Sequence, residues 1–414
     1  MHKKGHAPQT TSGGAKASAF RSKGFRLADF FRHDGISEYV GSRADVNVAT
    51  FEENQQVKVK KKTMGKLSVF VLVLAKIPMS YSIRSVTGYC NTNRGCNASS
   101  LNLEKAAINS VSVLTYHPTP NGTVVPCAAD YAACTWLGSS LDFNARVPQV
   151  TGGAVSAMPL LFENDGTMIE KFRAMVASPE SEAAIIKALV KDAVEYGYAG
   201  LSVDLEPSCW NSDPTACAWP SSSDSHKFRA FLDALAIDLA AEDKSLSVAV
   251  AAFPPTQCSR GFEEYEAFCA DEESYLASCS ESGAYNVSLC NCCAFTTWFN
   301  LKELCSGAES FTVVNMDTYM DAPFNPDTFK DSMSYYRAHG CGSMAVGLLL
   351  GEGGSNRTSV DAIFRAVGDD GAVEQLAIWV DIWANSTVLE LWKPHLEAFL
   401  SLGSVATALE VSSV

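Results

Sequence analysis

From about residue 83 onward, the chain alternates short apolar runs with segments in which apolar residues recur every three to four positions. Short apolar runs between turn residues are typical of buried strands, whereas the longer spacing is typical of amphipathic helices. Eight apolar runs predict strands, over residues 85–90, 108–117, 153–162, 201–206, 246–253, 311–319, 344–351 and 375–383.

Helix patterns fill most of the segments between the predicted strands. In SPESEAAIIKALVKDAVEYG, Ser178 and Pro179 form a helix start signal and Gly197 a stop signal. The apolar residues that share one face of this helix are Ile186, Leu189, Val190, Ala193 and Val194. Further segments with helix patterns are HKFRAFLDALAIDLAAED, PDTFKDSMSYYRAHG, SVDAIFRAV and VLELWKPHLEAFL.

The order of these elements indicates the fold class. Strands that alternate with helices form parallel sheets, and eight strands over about 320 residues fit an α/β fold of the (β/α)8 TIM-barrel type. We predict this barrel over residues 83–403, followed by a tail, residues 404–414. The alternative is a doubly wound open sheet. That fold usually has a Gly-rich phosphate loop after its first strand, and TGYCNTNRGCN is a poor match to it.

The charge distribution divides the chain into two parts. Residues 1–84 carry 15 Lys and Arg against 6 Asp and Glu, a net charge of +9, whereas residues 85–414 carry 17 against 40, a net charge of −23, which gives −14 for the whole chain. An acidic globule repels nucleic acid and anionic membranes, so partners of these two classes are not expected. Residues 1–63 are predicted to be a basic, disordered extension.

A short apolar run follows this extension. In KVKKKTMGKLSVFVLVLAKIPMSYS, a basic flank precedes nine largely apolar residues, and Lys76 ends the run. A bilayer span requires about 20 residues, so the run fits the core of a signal peptide better than an anchor. We therefore predict a signal segment over residues 64–82, no stable membrane span, and secretion or residence in the secretory-pathway lumen. A type II membrane anchor or a buried strand is the alternative.

The cysteines and glycosylation sequons favour the secretory pathway as well. All 14 Cys lie between Cys90 and Cys341. An even, large number of cysteines in one region is typical of disulfides, and short spacings such as that of Cys209 and Cys217 suit local loops. Five Asn-x-Ser/Thr sequons lie in the same region, at Asn97, Asn121, Asn286, Asn356 and Asn385.

A Cys-rich run, residues 258–305, lies between the fifth and sixth predicted strands. We predict an insertion that disulfides pin on the top face of the barrel. Its CNCC segment, residues 290–293, has no nearby His, so disulfides are favoured over a metal site. No metal and no cofactor are expected, because the chain has no HExxH motif and GLLLGEGGSNRTS lacks the Lys of a phosphate loop.

The candidate chemistry lies at the end of the fourth predicted strand. Residues two apart in a strand point the same way, so Ser202, Asp204 and Glu206 share one face, directed inward in a barrel. Two carboxyl groups this close cannot both ionise freely, so one keeps a proton. A glycosidase needs such a proton for its leaving oxygen. The alternative is that these acids cap the loop after the strand.

The segment GLSVDLEP resembles the fourth-strand signature of glycoside hydrolase family 18, written DGxDxDxE, and in particular its DGYNxDxEP variant of protists and algae. The residues that match are Gly200, Asp204, Glu206 and Pro207. Two positions depart from the signature, because Ala199 stands where the pattern has Asp and Ser202 where it has Asp or Asn.

The resemblance implies a role for each matching acid. Glu206 would be the general acid, and Asp204 would orient the substrate's 2-acetamido group, whose own oxygen attacks the anomeric carbon. VVNMDTYM resembles the sixth strand, in which Tyr319 would donate a hydrogen bond to the acetamido oxygen. Asp317 would assist from the same face. The Asp or Asn that commonly follows this Tyr is Met320 here.

Two further strands resemble the sugar-binding part of the family's site. SVTGYC, which contains Tyr89, resembles the first strand, and AIWVDIW resembles the eighth, whose Trp forms the floor of a sugar subsite. An indole buries the apolar C–H face of a sugar ring. Core packing is the alternative for each Trp. The residues predicted to bind substrate are Tyr89, Asp317, Trp379, Asp381 and Trp383.

The sequence therefore predicts a secreted, monomeric glycosidase that cleaves β-1,4-linked N-acetylglucosamine in chitin oligosaccharides or the core of an N-glycan, with retention of configuration. The alternative is a family member that binds amino sugars without cutting them. The departures at Ala199, Ser202 and Met320 favour this alternative, whereas the presence of Glu206 argues against it. A third possibility is a barrel enzyme that acts on a different glycan.

Overall fold

The structure is a computed structural model that describes most of the chain from Arg84 to Val411. The predicted extension, residues 1–63, and the predicted signal segment, residues 64–82, lie outside the described residues. The described ranges are 84–90, 107–127, 140–209, 217–252, 265–280, 287–306, 310–318, 324–342, 344–349, 357–379 and 386–411.

Eight parallel strands form the centre of the fold. In chain order they are β1 Ser85–Cys90, β2 Ser110–Pro118, β3 Leu160–Glu163, β4 Gly200–Leu205, β5 Ser245–Val250, β6 Thr312–Asn315, β7 Met344–Leu349 and β8 Gln375–Trp379. Each strand pairs with the next, and β1 pairs in parallel with both β2 and β8. A sheet that closes on itself is a barrel, so the predicted (β/α)8 fold is confirmed and the open sheet is wrong.

Helices surround the barrel. They are α1 Ser140–Val150, α2 Met168–Met175, α3 Pro179–Glu195, α4 Ser222–Ala240, α5 Tyr265–Ala270, α6 Glu272–Ser280, α7 Val287–Trp298, α8 Leu301–Leu304, α9 Pro326–Ala338, α10 Arg357–Asp370 and α11 Ser386–Val411. Two short strands, Val124–Pro126 and Ser156–Ala157, pair with β2 beside the barrel. In the described part of the chain, no helix is long and apolar enough to cross a membrane.

Helix α3 shows how local sequence sets an element. The Ser178 side chain accepts a hydrogen bond from Ser181 N, and Pro179 occupies the first turn, where its missing N–H costs nothing. Gly197 ends the helix with φ +67°, a conformation that favours glycine. Most of the predicted apolar face is buried, but Val194 is 46% exposed and Ile185, which was not predicted, is buried.

The third predicted strand differs from the observed one. Residues 153–162 read as one apolar run, but the structure has the short strand Ser156–Ala157 and then β3. Pro159 lies between them and has no N–H to donate, although its carbonyl still accepts from Ser202 N at 2.9 Å. The strand therefore restarts after the proline, which brings Glu163 to its end.

The Cys-rich insertion comprises helices α5 to α8, between β5 and β6. Cys279–Cys290 and Cys269–Cys293 join its helices to one another, and Cys305–Cys341 ties its end to the segment before β7. The predicted Cys209–Cys217 disulfide is present as well. Cys290 and Cys293 of the CNCC segment are thus disulfide-bonded, as predicted.

Candidate active site

The candidate site lies at the carboxyl ends of the barrel strands, where βα loops meet. Asp204 is in β4 and is 1% exposed, and Glu206 follows the strand directly and is partly exposed. Glu206 N donates to Glu163 O at 2.8 Å, which extends the pairing of β4 with β3 past the end of the strand. This bond fixes the backbone of Glu206 at the rim of the barrel.

Gly200 shows why β4 begins with glycine. A Cβ atom at this position would lie 2.1 Å from Ser245 O of β5, closer than any real contact. The glycine therefore permits the close approach of the two strands. This accounts in physical terms for one of the four residues that match the family signature.

Burial governs the protonation of the two acids. Burial, reinforced by the charge of Glu206, raises the pKa of Asp204 well above its usual value. Burial and then the charge of Asp317 raise the pKa of Glu206 to about 7. Asp204 Oδ1 has no hydrogen-bond partner among the described residues, so nothing offsets its loss of water. The pair therefore retains protons near neutral pH and can deliver one.

Asp317, whose charge acts on Glu206, does not lie in a strand as the sequence pattern implied. The predicted strand 311–319 ends at Asn315, and residues Met316–Thr318 form a 3-10 turn. Asn315 Oδ1 accepts from Asp317 N at 3.0 Å, and Thr318 Oγ1 donates to Asn315 O at 2.7 Å. Because these side chains bond the local backbone, they replace the strand by a turn. Because Asp317 lies in this turn, the strand alternation that predicted it to share a face with Tyr319 does not apply to Asp317.

Tyr336 holds Asp317 and was not found from the sequence. Its hydroxyl lies 2.8 Å from Asp317 Oδ2 and 2.7 Å from Val250 O, and it accepts from Ala252 N at 3.1 Å. Tyr336 belongs to α9 and is fully buried. In the sequence it reads as one more core aromatic of an amphipathic helix, so no local signal distinguishes it.

Hydroxyl groups occupy the barrel interior below the acids. Ser202 Oγ lies 2.8 Å from the Tyr89 hydroxyl and 2.8 Å from Ser247 Oγ. All three residues are buried. Ser202 stands at a position where the family signature has an acid or amide, and here it joins β1, β4 and β5 by neutral hydrogen bonds. Ser247 was not found from the sequence, because a strand serine carries no specific signal.

Aromatic rings gather beside the acids. The ring of Trp379, at the end of β8, lies 5.2 Å from that of Tyr89 and 6.5 Å from that of Phe162, measured between centroids. Tyr89 is 1% exposed, so it supports Trp379 rather than offering a free surface. Phe162 was missed, although it is an apolar residue near the end of a predicted strand.

Several predicted site residues and sequons lie outside the described part of the chain. They are Tyr319, Met320, Asp381 and Trp383, and the sequon asparagines Asn97, Asn286, Asn356 and Asn385. The fifth sequon residue, Asn121, is exposed in the turn after β2, where its Oδ1 accepts from Thr123 Oγ1 at 2.9 Å. Glycosylation there stays a prediction.

Among the residues described, no group of three or more His, Cys, Asp or Glu could hold a metal ion.

A second charged group lies between β3 and α2. Glu163 Oε2 is 2.5 Å from Lys171 Nζ and 3.0 Å from His117 Nδ1, and Lys171 also contacts Asp165 at 3.0 Å. Burial, with the charge of Lys171, lowers the pKa of His117 to about 4, so this His is neutral. These residues anchor the end of β3, whose backbone in turn holds Glu206.

No protein-family model matches the sequence, and no curated protein matches it. Solved structures do match the fold, and three of them illustrate it. A chitinase from Chromobacterium violaceum ATCC 12472 has a TM-score of 0.50 and 16% identity over 76% of this chain and 99% of that one. A class V chitinase from Pseudomonas fluorescens Pf-5 has a TM-score of 0.51 and 13% identity, again over 76% and 99%.

The third structure is catalytic domain 2 of the Ostrinia furnacalis Group II chitinase, with a TM-score of 0.51 and 12% identity over 76% of this chain and 97% of that one. At such identities the likeness shows the fold alone. The chain thus has a TIM barrel of the kind that chitinases use. The likeness does not distinguish the DGYNxDxEP variant from other forms of the signature.

Proposed function

We propose that this protein is a glycosidase that cleaves β-1,4-linked N-acetylglucosamine with retention of configuration. One observation carries the proposal. A carboxyl group with a pKa raised to about 7, that of Glu206, lies at the rim of a TIM barrel two residues from a buried acid, Asp204. A protonated acid at this place is what the departure of a glycosidic oxygen requires.

Glu206 protonates the leaving oxygen in the proposed mechanism, and the residue is partly exposed at the rim of the barrel, where a substrate would approach. Asp204 has a buried oxygen without a partner among the described residues, and in the proposed mechanism this carboxyl group orients the 2-acetamido group through its N–H. The acetamido oxygen then attacks the anomeric carbon, so no protein nucleophile is needed. A water molecule then attacks the anomeric carbon and opens the ring intermediate. Glu206, ionised by its first proton transfer, takes a proton from that water.

Trp379 provides the surface on which the sugar ring rests. Its ring is partly exposed, and Tyr89 and Phe162 support it from the barrel. An indole held in this way buries the apolar face of a pyranose at little cost in side-chain entropy. Chitin oligosaccharides and the core of N-glycans both present such rings, and the disulfides agree with action in an oxidising, extracellular or secretory compartment.

A protein that binds amino sugars without cutting them is the second candidate. Ser202 favours it, because a serine stands where the signature has an acid or amide. Its hydroxyl is neutral and has no charge that could act on Asp204. A binding protein has no use for a proton donor, however, and Glu206 retains the raised pKa of one.

The test is an assay of the purified full-length protein on a fluorogenic chito-oligosaccharide, with Glu206→Gln in parallel. Loss of a general acid costs about 10²- to 10⁴-fold in rate, so we expect turnover by the natural protein and almost none by the variant. Proton NMR of the first product should show the β-anomer. The α-anomer, or sugar binding without turnover by either protein, contradicts the proposal.

A further inference from the structure

The carbonyl between the two candidate acids belongs to Leu205, and its partner is unusual. In β4, Ser202 and Glu206 bond to β3, so the alternate residue Leu205 is directed toward β5. The pairing of β4 with β5 ends earlier, at Val203 and Val248. Leu205 O therefore lies beyond the ladder, and it accepts instead from the indole Nε1 of Trp298 at 2.7 Å.

Trp298 is held in one orientation by its surroundings. It is fully buried at the end of α7, within the Cys-rich insertion. Its ring stacks on Phe228 of α4 at 4.3 Å between centroids and meets the edge of Phe172 of α2 at 4.9 Å. The indole N–H thus points at Leu205 O without freedom to turn away.

The same helix contacts the chain on the other side of Glu206. Asn291, two turns before Trp298 in α7, is fully buried and its Oδ1 accepts from Cys209 N at 3.1 Å. Residues seven apart lie on one face of a helix, so α7 presents both polar groups to the same stretch of chain. That stretch, residues 205–209, contains Glu206.

Disulfides fix α7 in turn. Cys290 joins it to Cys279 of α6, and Cys293 joins it to Cys269 of α5. The insertion is therefore cross-linked, and its helix α7 contacts the end of β4.

We propose that the Cys-rich insertion positions the candidate general acid, with Trp298 and Asn291 as positioning residues that hold the main chain on both sides of Glu206. The consequence for catalysis rests on the proposed function, whereas the consequence for the backbone does not. Displacement of a reacting group by about 1 Å can cost about 10²-fold in rate. The contacts of α7 prevent such displacement.

Trp298→Phe tests the proposal, because it removes the indole donor and keeps an aromatic ring on Phe228. Trp392→Phe is the matched control. Trp392 is also fully buried, but it belongs to α11, after β8, where its ring lies 5.4 Å from that of Phe364 between centroids. Both variants replace one buried indole by a phenyl ring.

The first measurement is hydrogen–deuterium exchange of the peptide that contains residues 206–209. We expect exchange about tenfold faster in Trp298→Phe than in the natural protein, and unchanged in Trp392→Phe. The second is kinetics, in which kcat should fall about 10²-fold in Trp298→Phe with little change in KM. If Trp298→Phe does not fold, Asn291→Leu removes the other contact of α7 and is measured in the same way.

Equal exchange in the natural protein and Trp298→Phe, or an equal increase in both Trp variants, overturns the proposal. If the natural protein has no turnover but exchange rises only in Trp298→Phe, the glycosidase function fails and the positioning of Glu206 by the insertion stands. The two proposals therefore fail by different results.

Discussion

Glu206 and Asp204 are two acids whose state is set by where the barrel places them. Both lose water on folding, and no cation contacts either carboxyl group among the described ion pairs. An acid in such a place keeps its proton, whereas an exposed acid at neutral pH does not. A pair of carboxyl groups on the exposed surface of this chain would therefore be ionised at neutral pH and could not donate a proton.

The charge of Asp317 predicts how activity depends on pH. It raises the pKa of Glu206, and a general acid must be protonated to act, so removal of that charge should lower the pKa and move the alkaline limb of the pH–rate profile to lower pH. Asp317→Asn makes this change and keeps an oxygen that can accept from Tyr336.

The shift of the alkaline limb is measured from kcat/KM on the proposed substrate between pH 4 and 9, with points about one pH unit apart. Asp331→Asn is the control, because it removes one exposed charge from the same helix as Tyr336, α9. An alkaline limb that stays in place in Asp317→Asn, or that moves equally in the control, contradicts the prediction.

At the scale of elements, the end of β3 supports the site through a buried ion pair. Glu163 and Lys171 are 4% and 6% exposed, and their backbone and side-chain contacts anchor the strand that bonds Glu206 N. Removal of one partner from a buried pair leaves the other charge without compensation. The stability of this element therefore depends on both residues together.

Lys171→Met should lower the free energy of unfolding by up to about 3 to 5 kcal/mol, because Glu163 then loses its cation and keeps only the imidazole of His117 beside it. Urea unfolding at pH 7 measures the change. Lys191→Met is the control, since Lys191 and its partner Glu195 are 73% and 56% exposed at 3.7 Å, and such a pair contributes about 0 to 1 kcal/mol. Similar losses in both variants would contradict this account.

Elements with strong local signals could be predicted from the sequence. The apolar runs located all eight barrel strands, and Ser178-Pro179 located the start of α3. The split at Pro159 was missed because it lies within an apolar run. The turn after Asn315 was missed because Asn315 and Asp317 alternate with Met316 as polar and apolar residues do in a strand. Trp298 and Tyr336 could not be predicted, since each acts on a strand remote in sequence and has the composition of ordinary core.

At the scale of the whole molecule, the raised pKa values have a cost in stability. The pKa of Glu206 is about 7 in the folded protein against 4.5 as its ordinary value. Between these values the folded state holds a proton that the unfolded state has lost. The free energy of unfolding therefore falls as the pH rises through this range.

Glu206→Gln should remove this dependence, because an amide does not titrate. We expect the variant to be more stable than the natural protein at pH 8, on the order of 2 kcal/mol, and nearly equal to it at pH 4. Thermal or urea unfolding across this range measures the difference. A gap of the same size at both pH values would show that the substitution acts by packing and not by charge.

The bond from Trp298 to Leu205 also bears on how this barrel can change. In TIM barrels the loops after the strands carry specificity and tolerate exchange while the strands stay constant. Here the loop after β5 supplies a donor to β4 and an acceptor to Cys209. A transplanted loop would leave a carbonyl and an amide unpaired beside Glu206. Any new insertion grafted onto this scaffold must therefore bring its own replacements for the indole and the amide.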